Sequence, residues 1–156
     1  MTPAINALEK AGIKFTVHAY AHDASHQSYG LEAAQKLAID PGRVFKTLLT
    51  QDSANKPYVA LVPVNTTLNL KKFAAALGIK KMDMASQALA QRATGYILGG
   101  ISPVGQKKRN PTVIDNSALQ YKTIFVSAGR RGLEIEISPT DLQHLINAAV
   151  CAITAD

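Results

Sequence analysis

Two apolar runs near the middle of the chain, Val44–Thr50 and Tyr58–Val64, are separated by the polar segment Asp52-Ser53-Ala54-Asn55-Lys56-Pro57. Apolar runs of this length, rich in β-branched and aromatic residues, are strands, and the short polar connector is hairpin chemistry. Around this hairpin the chain shows no internal repeat and no βαβαβ rhythm. Strands of mixed spacing with helices inserted between them predict the α+β class. The expected architecture is a mixed, curved, barrel-like sheet with flanking helices, built as a single domain over residues 1–156.

The flanking segments carry their own punctuation. Thr2-Pro3, then Ile5, Leu8 and Gly12, predict a short capped helix, since proline suits the first helical position and glycine the stop. Ile13–Tyr20 alternates apolar and polar residues, which predicts a half-buried strand with Phe15, Val17 and Ala19 on one face and His18 and Tyr20 on the other. The polar stretch His22–Ser28 crosses to a helix over roughly Leu31–Leu37. Asn69 or Thr67 caps a helix ending at Gly78, and Ser86–Ala93 forms another, closed by Gly95. Gly99-Gly100-Ile101-Ser102-Pro103-Val104-Gly105 is too rich in glycine and proline to be regular. Strands are expected near Thr112–Ile114, Thr123–Ser127 and Leu133–Ile137. Ser138-Pro139-Thr140-Asp141 starts a last helix with Leu142, Leu145, Ile146 and Ala149 as its apolar stripe.

A chain of 156 residues that is 47% hydrophobic can bury a sizeable core. Its single cysteine, Cys151, excludes an intramolecular disulfide and a cysteine-cluster metal site. No run approaches the ~18 apolar residues of a membrane span, and no basic segment precedes a hydrophobic stretch at the N-terminus. The default expectation is a cytoplasmic protein without a membrane partner. The net charge is +6, and the excess is local. Between Ser53 and Ile114 stand nine lysines and arginines and one acid, Asp83. Such a field suits a polyanionic partner, although a solvated basic surface gives the same arithmetic.

Few residues offer self-sufficient chemistry. His18, His22 and His26 recur every four residues, but the segment is not helical, so the spacing does not put them on one face, and no metal signature matches. A strand histidine beside a polar loop accounts for them, and neither metal nor cofactor is expected. Cys151 sits in the apolar end of the last helix, which is the setting of a core thiol. No G-x-S-x-G elbow or Walker loop is present. Lys46 is different. It stands within an apolar run, on the strand face of Val44 and Leu48, where a charge is costly unless it is paired, functional, or snorkelling from an edge. Gly99-Gly100 can bring backbone N–H groups close to a ligand, because no Cβ intervenes.

Taken in order, several segments resemble one family. They are His22-Asp23, Phe45-Lys46-Thr47-Leu48-Leu49, Leu68-Asn69-Leu70-Lys71-Lys72 and Thr94-Gly95-Tyr96. Gly99-Gly100-Ile101-Ser102-Pro103 follows, running into Gly105-Gln106-Lys107-Lys108-Arg109, then Val126-Ser127 and Arg131-Gly132-Leu133. Over nearly its whole length the chain is similar to the YbaK/prolyl-tRNA-synthetase-associated editing superfamily. Gln-Lys-Lys-Arg after the glycine-rich loop resembles the YbaK branch, the Cys-tRNA(Pro) deacylases, rather than the alanine-editing relatives.

The resemblance implies a barrel-like sheet with flanking helices and a trans-editing hydrolase that cleaves the ester of mischarged Cys-tRNA(Pro), and of Cys-tRNA(Cys). It implies aminoacylated tRNA as substrate and prolyl-tRNA synthetase as a partner on the same tRNA. By position, Lys46 is the essential lysine, holding the 3′-terminal phosphate and ribose region. Tyr20, Thr47, Gly99 and Ser127 match substrate-pocket positions, with Gly100 and Ile101 in the same loop. Lys71, Lys72, Lys107, Lys108, Arg109 and Arg131 are the expected tRNA contacts. Glu134 stands where members vary, and it is not counted as catalytic. The implied mechanism needs no protein nucleophile: the substrate's own thiol attacks its ester, and backbone N–H groups at Gly99-Gly100-Ile101 are candidates for the oxyanion or α-amine. Two other readings stay open, an editing relative with another amino-acid preference and a silent tRNA-binding module docking on a synthetase.

Overall fold

In the computed structural model, residues 1–25 and 28–156 are described. The order of elements is α1 (Pro3–Ala11), β1 (Phe15–Ala19), α2 (Tyr29–Lys36), β2 (Phe45–Asp52), β3 (Pro57–Pro63), α3 (Leu70–Leu77), β4 (Met82–Met84), α4 (Gln87–Thr94), β5 (Thr112–Asp115), β6 (Ile124–Ser127), β7 (Leu133–Ile137), α5 (Pro139–Ile146) and β8 (Ala149–Cys151). Short 3₁₀ turns fill Pro41–Arg43 and Asn116–Gln120.

The expected hairpin is the centre of the molecule. β2 and β3 pair antiparallel from Phe45↔Pro63 to Gln51↔Pro57. They head a five-stranded mixed sheet in the order β4-β2-β3-β5-β8, with β3, β5 and β8 mutually parallel. Tyr58 through Pro63 are all buried, because β3 is covered on both faces. Val59 and Leu61 join a cluster with Ile5, Leu8, Ile114 and Ile135. Ala60 and Val62 join another with Phe73, Met82 and Val113. Val59, Leu61 and Val62 each contribute roughly 1.5–3 kcal/mol on burial, so this strand anchors whatever its hairpin partner presents.

The second sheet, β1-β7-β6, is antiparallel throughout. It meets the first at a parallel bridge between Val44 and Phe125. The curvature expected from the sequence is there, but the two sheets stay joined at this seam and do not close into a true barrel.

Two local expectations are corrected. In β1 the expected faces hold only at Phe15, which packs against the main core; beyond it the alternation breaks, Val17 being 37% exposed while the His18 ring packs on Phe125 and bonds Glu136. Tertiary packing on β6 outweighs the hydrophobicity of one edge-strand valine. Cys151 is not at the end of a helix. α5 stops at Ile146 because Asn147 adopts the left-handed conformation (φ 53°), and the chain then pairs with β5, bringing Cys151 opposite Asp115. Cys151 still packs against the Phe73 cluster, as a core thiol would. The strand β4, with three residues, is too short to show a period in the sequence and is set by its pairing with β2.

Candidate functional site

A cavity of about 310 Å³ opens where the start of β2 meets α2, the loop after α4 and the β6–β7 turn. Five consecutive β2-side residues, Val44–Leu48, line it, so the cavity meets this strand along its edge. β4 pairs with Thr50–Asp52, Ala85 N–H reaches Leu49 O and Val44 bridges to Phe125, which leaves the stretch of edge between them uncovered. In the β2–β3 register, Val64 N–H donates to Val44 O. By the alternation of an antiparallel ladder, the N–H and C=O of Thr47 then point away from β3, toward the uncovered edge.

Lys46 is half-buried, and its Nζ donates to the carbonyl of Thr66 at 2.8 Å. No carboxylate pairs with it among the described residues, and burial lowers its pKa. An ammonium carries three donors, so one neutral carbonyl leaves most of its capacity for an incoming anion. Thr47 carries a second signal. Its Oγ1 is buried without a hydrogen-bond partner, a state that costs about 1–3 kcal/mol unless a ligand satisfies it.

The opposite wall comes from Tyr20, which follows β1, from Tyr29 at the start of α2, and from Ser127, Arg131 and Glu134 of the β6–β7 region. The loop after β1 is fastened to α2 by Glu32, 0% exposed, which accepts from His22 Nδ1 at 2.8 Å and from Asp23 N–H at 2.7 Å. Hydrogen bonding to His22 helps hold the Glu32 pKa low against its burial. His18 and His22 are thus each engaged by a carboxylate; His26, the third of the spaced histidines, lies outside the described residues. Arg131 lays its guanidinium 3.8 Å from the centre of the Tyr29 ring. Ser127 Oγ accepts from Gly129 N–H at 3.1 Å, fixing the turn that carries Arg131.

Glu134 is not among the expected pocket residues. It points into this cavity at 7% exposure, and burial pushes its pKa up to about 8. It is therefore mostly a neutral carboxylic acid at neutral pH. Burial also raises the Tyr20 pKa, with Glu134 as a further cause, so the phenol is a neutral donor as well. The pattern Leu-Glu-Ile-Glu-Ile shows two carboxylates on one face of a strand. Only the fold separates them: Glu136 accepts from Thr123 and His18, while Glu134 faces the cavity.

Of the expected pocket residues, Tyr20, Lys46, Thr47, Gly99, Ile101 and Ser127 come together here. Gly100 does not line the cavity. Its N–H donates to Ile97 O at 2.9 Å, and its Cα packs against Arg130–Arg131, so it shapes the loop without offering a free donor. Of the expected tRNA contacts only Arg131 lines the cavity. Lys71 and Lys72 lie on α3, where Lys72 Nζ donates to Thr154 O and pairs with Asp156. Lys107, Lys108 and Arg109 line a different cleft. None of the described lining residues is a histidine or a cysteine.

Residues 27–145 match the model of the aminoacyl-tRNA editing domain. A candidate Cys-tRNA(Pro)/Cys-tRNA(Cys) deacylase of Enterococcus faecalis, EbsC, is 40% identical over 153 residues, covering 98% of this chain and 93% of that protein. A proline–tRNA ligase of Thermoanaerobacter sp. (strain X514) is 28% identical over 107 residues, 67% of this chain but only 19% of the ligase. Among solved structures, a candidate trans-editing enzyme for prolyl-tRNA synthetase superposes with a TM-score of 0.83 at 25% identity, over 99% of this chain and 96% of that one. No helix among the described residues is long and apolar enough to cross a membrane.

Proposed function

The chain belongs to the aminoacyl-tRNA editing domain family, and from that premise we propose that it is a trans-editing hydrolase for Cys-tRNA(Pro) and Cys-tRNA(Cys). The observation that carries the reading is a cavity lined by Lys46, whose ammonium has one neutral carbonyl partner, and by Thr47, whose hydroxyl is orphaned, with no histidine or cysteine among the described lining residues. A lysine at the rim suits the 3′-terminal phosphate of the tRNA, and Arg131, stacked on Tyr29, suits the terminal nucleotide. The edge N–H of Thr47 points toward the space where the cysteinyl ester would sit, with its buried hydroxyl behind, and Tyr20, Gly99, Ile101 and Ser127 bound that space.

The reaction is substrate-assisted. The cysteine thiol gives up its proton and its sulfur attacks the ester carbonyl. The carbonyl carbon–O3′ bond breaks, O3′ takes a proton, and tRNA leaves. Water then opens the strained thiolactone to free cysteine. The protein supplies position and donors for the developing oxyanion. Because thiol and ester already belong to one molecule, what the protein adds by positioning is the choice of the attack rotamer. Such a site is a second sieve: a synthetic pocket for proline rejects the similarly sized cysteine poorly, and the error is removed elsewhere. Choice of tRNA(Pro) falls to prolyl-tRNA synthetase acting on the same tRNA.

Hydrolysis of labelled Cys-tRNA(Pro) by the protein and by Lys46→Ala is the test. Rapid release of cysteine by the wild type and loss in the variant are expected. An inert wild type would overturn the function, and a fully active Lys46→Ala would overturn the site.

A further inference from the structure

A second concavity, of about 540 Å³, lies between the β2–β3 connector, the last turns of α4 and segment 107–111. It shares no lining residue with the cavity above. Five cations line it, Lys56, Arg92, Lys107, Lys108 and Arg109, and no carboxylate does. None of the five takes part in a salt bridge among the described residues. Asp52 feels the charge of Lys56 without forming an ion pair with it, its oxygens being held by the backbone N–H groups of Ala54 and Lys56 and by the Tyr58 hydroxyl.

The cleft is held by a built scaffold. Lys107 N–H donates to Thr94 O at 2.9 Å, and Lys108 N–H to Ala93 O at 3.4 Å. The buried Asn110 amide donates to Ala93 O, Gln106 Oε1 and Lys108 O. These bonds cap the last carbonyls of α4 with backbone and amide donors, leaving the cationic side chains exposed. Neutralising the C-terminal dipole of α4 cannot account for them, since that dipole amounts to about half a charge. Arg109 donates to the Leu145 carbonyl and Lys56 lies over the Tyr58 ring, both neutral partners, so the charges stay uncompensated and in a concave setting focus a positive field.

The chain itself ties this cleft to the editing cavity. Ala93 lines the first and Gly99 the second, and the residues between them can span at most about 20 Å. A single ligand reaching both must carry negative charge along its length. We propose that the cleft binds the phosphodiester backbone of the tRNA whose aminoacylated end enters the cavity, with Lys56 and Arg92 completing the contact surface of Lys107, Lys108 and Arg109. The tRNA assignment rests on the function proposed above. An acidic protein segment is the alternative occupant, and it is disfavoured because the editing substrate already carries the required regular row of phosphates.

The test is binding of uncharged tRNA(Pro), which requires no hydrolysis, to the full chain and to the Lys56→Ala/Arg92→Ala double variant. Both side chains are exposed, so the fold is expected to survive; the charge-preserving pair Lys56→Arg/Arg92→Lys guards against misfolding and should bind like the wild type. The alanine pair should lose roughly tenfold in affinity, and its slope of log affinity against log salt should flatten by nearly two, one per lost phosphate contact. Unchanged affinity and slope would overturn the cleft. So would loss of binding in the charge-preserving pair equal to that in the alanine pair, or competition by polyglutamate as effective as by tRNA at equal charge. If the protein binds tRNA through these residues yet leaves Cys-tRNA(Pro) intact, the editing function fails and the cleft stands.

Discussion

Gly99 sits so close to the Tyr29 ring that a Cβ there would stand 2.7 Å from Cε2, and its φ is +91°. The contact joins the loop after α4 to the start of α2 across the editing cavity, and the same ring carries the Arg131 guanidinium. One glycine thus sets the position of an aromatic wall and of a cation.

Gly99→Ala should therefore damage function more than stability. The ring or the loop must shift, and deacylation is expected to fall at least tenfold, with a stability loss of about 1–3 kcal/mol from the strained φ. Gly78→Ala is the control, with φ +68° and open space around it. It should cost similar stability and leave kcat/KM intact. Equal kinetic effects in the two variants would remove the special role of the Gly99–Tyr29 contact.

Lys46→Met should separate activity from stability. The ammonium is partly desolvated with one carbonyl partner, and methionine keeps the stem while removing the charge. Urea midpoints equal to or above the wild type are expected, with deacylation reduced at least a hundredfold. Lys46→Arg should recover part of the activity, because its head group differs in shape and reach. A midpoint falling in step with activity would mark Lys46 as structural.

Glu134 makes stability pH-dependent. Its folded pKa, about 8, lies above the ordinary 4.5, so the native state holds a proton that the unfolded chain releases. The stabilisation is fully present below pH 4.5 and is lost progressively as pH rises to about 8. Glu134→Gln mimics the neutral acid. Its melting temperature relative to the wild type should rise across this window and level off above it. A constant difference from pH 4 to 9 would mean that the carboxyl titrates normally.

The substrate thiol should decide which esters are cleaved. Serine is smaller than cysteine and cannot be excluded by size, but its hydroxyl is hardly ionised, whereas a thiol of pKa about 8.5 is a few per cent thiolate at neutral pH. Cys-tRNA(Pro) should be hydrolysed and Ser-tRNA(Pro) left intact by the same preparation. Cys151→Ala should be fully active, since Cys151 lies in β8 and does not line the cavity. Comparable rates on the two esters would show an activated water instead. Inactivity of a folded Cys151→Ala would show a protein nucleophile.

Much of the frame was legible because it is encoded locally. The β2–β3 hairpin, the Thr2, Asn69, Ser86 and Ser138 caps, and the helix stops at Gly12, Gly78 and Gly95 all follow from turn and capping chemistry within a few residues. Lys46 stood out because an ammonium in an apolar run is anomalous wherever the run packs. β4 and β8 did not show, since three residues carry no period and their pairing depends on partners far along the chain.

What the sequence determined by itself was the set of short elements and the residue types able to bind an anionic ester, because propensity, capping and charge act over a few residues. Tertiary structure alone decided which of them meet. It turned Glu134 into the cavity and Glu136 toward His18, engaged the Gly100 amide in its own loop, and divided the basic residues between α3, the cavity and the α4 cleft. The physical reason is that burial and pairing are properties of the neighbours a side chain acquires on folding. A carboxylate two residues from its twin, on the same face of one strand, becomes a neutral acid or an ion-pair partner according to the neighbours it meets there.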